Sequence, residues 1–334
     1  FRVEEFPRLG FQTGYRTVND RLARVSEADQ RRRYDFWRGI RDELGTLSCE
    51  RLSRDECIDL RIFRRQIERF IADYETRAYL LPFNSDWGFY IDWTRMADPS
   101  NFAREADWTG YLERLRQLPE VMDQYIGLMR TGLEMGFTQP RAVLEGRDAP
   151  VRAQVVEKVE DSAFYEPFLR LPPGFSEERR EALRSEARVL IAEGVIPAYR
   201  KLLEFFEEEY FPGARETLGA SRLPGGERFY REQIRRYATL EMGPEEIHEL
   251  GLSEVARIRD EMDAIIAGLE FEGDFREFLE YLRSDPRFYA ETPRELLAEA
   301  SYIAKRVDGR LPQLFGRLPR QPYTVAPIPA AQAP

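Results

Sequence analysis

The chain has one histidine among 334 residues, two cysteines, three lysines, and no apolar run close to the roughly 20 residues that span a bilayer. Each shortage excludes something. Metal hydrolysis of the His-Glu-x-x-His kind needs two His one helical turn apart. In Glu246-Ile-His-Glu-Leu-Gly-Leu252 the pair His248-Glu249 opens such a motif, but Leu252 stands where the second ligand belongs. Serine chemistry fails as well, because there is no Gly-x-Ser-x-Gly elbow and His248 is the only candidate base. Cys49 and Cys57 have no His or Cys cluster around them. That suits neither a zinc knuckle nor a disulfide-rich scaffold, so they read as two ordinary thiols. Lys158, Lys201 and Lys305 are the only lysines among 50 basic residues, a bias that most simply reflects a GC-rich genome. A formal charge of -10 argues against a general nucleic-acid binder, which needs a basic face. The start, FRVEEFPRLG, lacks the basic-then-apolar layout of a signal peptide. Phe1 is not an initiator Met, so a removed export signal or lipid anchor stays open and the localisation is unassigned.

What is present is helical. With 43% hydrophobic, 13% aromatic and 33% charged residues the chain buries a sizeable core and is not disordered. The pattern predicts an all-α fold of long helices in an irregular bundle, as one large unit or two closely packed lobes. Ser53-Arg-Asp-Glu56 predicts a capping box opening a helix to about Tyr79. Its buried stripe is Ile62, Phe63, Ile67, Phe70, Ile71 and Tyr74, with Arg64, Arg65, Glu68 and Arg69 facing out. Leu80 to Ser100 reads as an ordered, irregular connection. Helical periodicity returns over Trp108–Leu118, Glu120–Met135 and Pro140–Val159. A long helix from Ser176 to Tyr210 should be kinked or split by Pro197. Pro244–Gly268, Asp274–Arg283 and Thr292–Val307 complete the set, the last opened by Thr292-Pro-Arg-Glu295. These elements predict an N-terminal helical lobe over 1–171 and a second over 172–318. The Pro-rich stretch 319–334 reads as an extended connector to a further C-terminal part.

Other chemistry-bearing strings are weak. Glu207, Glu208 and Glu209 form a short acidic run of the kind found on solvated faces. Leu223-Pro-Gly-Gly226 is too short for a dinucleotide or Walker-type phosphate loop and reads as a turn that starts the helix bearing Phe229, Tyr230, Ile234 and Tyr237.

Four blocks together carry a resemblance. They are LPFNSDWGFY at Leu81–Tyr90, the segment Tyr111–Glu145, RLPGGERFYREQIRRYATLEMGPEEIHELGLSEVARIRD at Arg222–Asp260, and LPQLFGRLPRQPYTVAPIP at Leu311–Pro329. In order and spacing the chain resembles the bacterial domain-of-unknown-function 885 family over nearly its whole length. The resemblance implies a mostly helical protein related to gluzincin-type zinc peptidases, with a His-Glu zinc motif in a later part that this sequence does not contain. It therefore implies the N-terminal, substrate-cleft portion of a zinc-dependent hydrolase acting on a peptide or small amide. Such a portion holds no catalytic residue, metal ligand or cofactor itself, and zinc is expected in the full-length protein. The alternative is a helical module that binds a peptide or partner without cutting it; a third reading is a self-association interface. Candidate cleft residues are Gly225, Gly226, Tyr230, Tyr237 and Thr239, with Asn84 and its neighbours Phe83 and Trp87 from the irregular connection, and His248. Their chemistry would be hydrogen bonding to a peptide backbone.

Overall fold

The computed structural model describes residues 1–98 and 102–328. Two long helices open it. α1 (Glu27–Gly45) and α2 (Arg54–Glu75) start alike: the hydroxyls of Ser26 and Ser53 accept the N–H three residues on, while Asp29 and Glu56 accept the cap N–H in return. The box at Ser53 is the predicted one. The box at Ser26 uses the shorter Asp and lies outside the Ser-x-x-Glu pattern. The two helices bury Trp37, Leu44, Leu60, Ile67 and Ile71 against each other, and Trp37 stacks on Phe70 with ring centroids 4.9 Å apart. The predicted stripe holds at Ile67 and Ile71 and fails at Ile62 and Phe63, which are exposed. The buried face centres on Leu60, Ile67 and Ile71. Phe63 sits at its edge and Ile62 about 200° round the helix from Leu60.

The larger core forms around α3 (Glu105–Glu134), where Tyr111, Leu115, Leu118, Met122, Ile126 and Met129 are all buried at spacings of three and four. The break expected at Pro119 does not occur, and the helix runs through it. An interior proline costs about 3 kcal/mol. Burial of apolar side chains on both sides of it outweighs that, since each is worth about 1.5–3 kcal/mol. The helix expected over Pro140–Val159 is absent. Gly146 at φ +74° and Pro150 interrupt the pattern, leaving the single turns Arg141–Val143, Ala149–Arg152 and Val159–Asp161. The backbone there pairs elsewhere, with the Arg141 N–H donating to the carbonyl of Arg215 at 2.8 Å.

α4 covers residues 177–213 without a break. It is α-helical over Glu177–Leu190, Ile196–Phe205 and Phe211–Gly213, with π-helical turns at Ile191–Val195 and Phe206–Tyr210. The prolines explain both turns. Pro197 and Pro212 each lack an N–H and would crowd the carbonyl four residues back, at Glu193 and Glu208; a wider π turn encloses both carbonyls and accommodates the ring. The kink expected at Pro197 is thus replaced by a change of helical register. Ion pairs with Arg152 and Arg130 hold Glu207 and Glu209 of the acidic run at the surface.

Buried tyrosines tie these pieces together. Tyr111 donates to Phe164 O at 3.0 Å, Tyr199 donates to Tyr90 O at 2.7 Å, and the Tyr210 oxygen accepts from the Gln139 N–H at 3.2 Å. Burial pushes the Tyr210 hydroxyl pKa up to about 12. The same cluster takes in Phe168, Leu171, Leu183 and Leu223, so it spans the boundary expected at residue 171. The compact units are Phe1–Pro244 and Glu245–Pro334.

The second unit holds α6 (Pro244–Gly268), α7 (Phe275–Ser284) and α8 (Pro293–Asp308), at the predicted positions. Asp274 caps α7 with a full box. Thr292 caps α8 with half of one, because the Glu295 carboxylate accepts from Glu291 N–H instead of from the cap. Of the connector expected over 319–334, residues 320–328 form neither helix nor strand, and 329–334 lie outside the described residues. Among the described residues the only β pairing is two isolated bridges, Phe83 with Gly88 and Pro140 with Arg215.

Cys49 and Cys57 form a disulfide, which corrects their reading as free thiols. The short helical turn Cys49–Arg51 and the cap at Ser53 fold the chain back on itself, placing the two Cα atoms 5.1 Å apart.

Candidate functional site: a charged cavity between two helices

The Leu-Pro-Gly-Gly turn launches α5 (Gly226–Ala238). Leu223 is buried and its carbonyl accepts from the Gly226 N–H at 2.7 Å; Gly225 takes the left-handed conformation at φ +72°. A Cβ at Gly226 would lie 2.3 Å from the Ala220 oxygen, so only glycine allows this close approach. At the other end Thr239, at φ +61°, terminates the helix.

Arg228, Glu232, Arg235 and Arg236 recur at helical spacing on the face of α5 that looks onto α2. Between the helices lies an open cavity of about 360 Å³, lined on the α2 side by Ile62, Arg65, Arg69, Ala72 and Asp73 among others. The residues expected to face solvent on α2, Arg65 and Arg69, and the exposed Ile62 are therefore walls of this cavity. Helical periodicity assigned them to the outer face, and only the packing of α5 gave that face a partner.

Most of the charges in the cavity are paired. Arg228 pairs with Glu75, Arg235 with Glu241 at 2.7 Å, and Arg236 lies 3.6 Å from Asp73. Arg65 donates to the carbonyls of Arg235 and Thr239, the free acceptors at the C-terminus of α5. Two groups stand out. Asp73 has its pKa raised by burial, which outweighs the opposing pull of Arg236 and Arg69, with Glu232 adding to the rise. Arg69 lies against the Phe70 ring, its guanidinium carbon 5.0 Å from the centroid, and its Nε–H is buried without an acceptor. A perturbed acid beside a guanidinium with one unmet N–H makes this cavity the candidate ligand site.

None of the candidate cleft residues named from the sequence lines this cavity. Tyr230 and Tyr237 share the opposite face of α5 and are exposed, while Phe229 packs edge-on against Phe137. Gly225, Gly226 and Thr239 shape the ends of α5. The Asn84 side-chain oxygen accepts from the N–H groups of Asp86 and Trp87 at 2.8 and 2.7 Å, closing a turn. Phe83 is buried against Phe206 and Tyr210. Trp87 is exposed and donates its ring N–H to Asp92. His248 is exposed on α6, in the second unit. Among the described residues no group of three or more His, Cys, Asp or Glu is gathered as a metal site.

The fold and this cavity define an all-α protein with a charged interhelical cleft. By sequence it belongs to the family described as bacterial protein of unknown function (DUF885), whose model matches residues 7–334. No curated protein matches the chain. Among solved structures it resembles a protein from Colwellia psychrerythraea described as a "putative lipoprotein", with a TM-score of 0.84 at 19% identity. The match covers 98% of this chain and 60% of that one, so the chain spans about three fifths of its neighbour's length. At that identity the likeness is one of fold.

Proposed function

We propose that this chain is the N-terminal, substrate-cleft portion of a zinc-dependent, metallopeptidase-like hydrolase, with the zinc and its ligands supplied by a further part of the protein. The observation that carries the reading is the uncovered apolar surface of the second unit. In α6, Leu250, Leu252, Val255, Ile258 and Met262 are exposed and Ile266 is the only buried residue. A 25-residue helix that keeps so many aliphatic side chains in water asks for a covering lobe. The family's expected zinc-bearing part, and the greater length of the Colwellia protein, support a lobe of that kind. In this reading Tyr230 and Tyr237, on the face of α5 turned away from the charged cavity, offer exposed hydroxyls to a substrate, and the disulfide suits an exported protein in an oxidising compartment.

The test is to express the whole natural reading frame containing this sequence and measure its metal and its hydrolysis of peptide and amide substrates. About one zinc per chain and turnover abolished by a chelator are expected. A whole protein that binds no metal and hydrolyses nothing in a chelator-sensitive way would overturn the proposal in favour of a binding module.

A further inference from the structure

We infer that the exposed face of α6 is a seam for one amphipathic helix of the covering lobe, laid lengthwise with its aliphatic side chains seated between Val255, Ile258, Met262, Ile265 and Leu269. The inference rests on the proposed function for the covering lobe itself and takes nothing from its zinc.

The spacing decides the shape of the partner. Gly251, Val255, Ile258, Met262, Ile265 and Leu269 follow one another at alternating steps of four and three residues, and all are exposed. Val255 is 67% exposed, Ile265 and Leu269 61% each. A mean step of about 3.5 residues is the repeat of a helix laid beside another helix, crossing at about 20° with knobs seated in holes. A steeply crossing helix would need a patch of only about two turns, and a covering loop would impose no such period. From Val255 to Leu269 the stripe runs about 21 Å. Its edges leave room for one helix. On one edge Ile266 is buried and the Arg259 guanidinium carbon lies 3.6 Å from the centroid of the Phe275 ring of α7. On the other edge Arg257 already binds both Glu254 and Glu261, so these acids call for no counterpart and the stripe selects by apolar packing. The opposite face of α6 carries Glu249, Asp260 and Asp263, and the helix has no lysine, which argues against an anionic membrane as the cover. The Colwellia protein, of which the match covers 60%, carries the further chain that such a helix needs.

The experiment is maleimide labelling of single cysteines, in the present chain and in the whole natural protein. Val255→Cys, Ile258→Cys, Met262→Cys and Ile265→Cys report on the stripe, and Ala256→Cys, Asp260→Cys and Ala267→Cys on the opposite face; Cys49 and Cys57 are held in their disulfide. The stripe positions should label about tenfold or more slowly in the whole protein than in the present chain, with the opposite face unchanged. Hydrogen exchange of α6 in the two unaltered proteins should slow in the whole protein, a comparison that stands even where a variant fails to fold. A stripe that labels equally fast in both proteins, or two faces protected alike, overturns the inference. So does protection in the present chain that grows with concentration as its mass in solution doubles, which would make the occupant a second copy. A whole protein without zinc but with a protected stripe sinks the hydrolase reading and leaves the seam standing; a zinc protein with an open stripe does the reverse.

Discussion

Arg65 of α2 donates to the backbone carbonyl of Thr239 at 3.1 Å, so a side chain from one helix caps the end of another 174 residues later. Its other terminal nitrogen bonds the carbonyl of Arg235. One guanidinium thus meets two of the carbonyls a helix leaves free at its C-terminus and ties the end of α5 to α2 beside the cavity.

Replacing Arg65 with Met should therefore free the last turn of α5 while leaving the core around α3 intact. Because the contact is exposed, the expected loss of global stability is only about 1 kcal/mol. Hydrogen exchange at residues 236–241 should speed up, with no change across Tyr111–Met129. Unchanged protection at the end of α5 would show that other contacts hold it.

The two glycines of the Leu-Pro-Gly-Gly turn should respond differently to alanine. Gly225 has open space around its would-be Cβ and only its positive φ is strained, so Gly225→Ala should cost about 1–2 kcal/mol. Gly226→Ala drives a methyl against the Ala220 carbonyl and the Ser221 backbone and should cost about 3 kcal/mol or more, as forced overpacking does. Urea denaturation of the two variants checks the order. Equal losses would mean that the turn shifts to relieve the clash.

Removing the Cys49–Cys57 disulfide, as the double Ser variant or by reduction, should destabilise the chain by about 2–3 kcal/mol through the restored freedom of a short loop. A thermal melt with and without reductant gives the comparison. Identical curves would mean that the α1–α2 junction holds its geometry without the cross-link.

Asp73 makes a prediction about pH. Its folded-state pKa is raised from the ordinary 3.8, so ionising it costs more in the folded chain than in the unfolded one. The stability it contributes is fully present below 3.8 and is lost as pH rises through the folded pKa. Asp73→Asn cannot ionise. The melting temperature of the variant relative to wild type should therefore climb from strongly acid to neutral pH. A difference that stays flat or falls would show that the pairing with Arg236 dominates burial.

The local signals of the sequence settled where most helices begin. Ser53 with Glu56 and Pro244 act on the backbone within one turn, so their effect can be seen without knowing what packs where. The all-α class followed from the same periodicity, as did the family from blocks of residues in order. Tertiary structure decided the rest. Pro119 stays inside α3 and Pro197 sits beyond a π turn because burial on both sides of those helices outweighs local preference. Cys49 meets Cys57 because two turns reverse the chain between them. Arg65, Arg69 and Asp73 wall a cavity for the same kind of reason: a helix has an outer face only until another helix packs on it. The partner here, α5, is more than 150 residues away in the chain, beyond the reach of any short-range pattern.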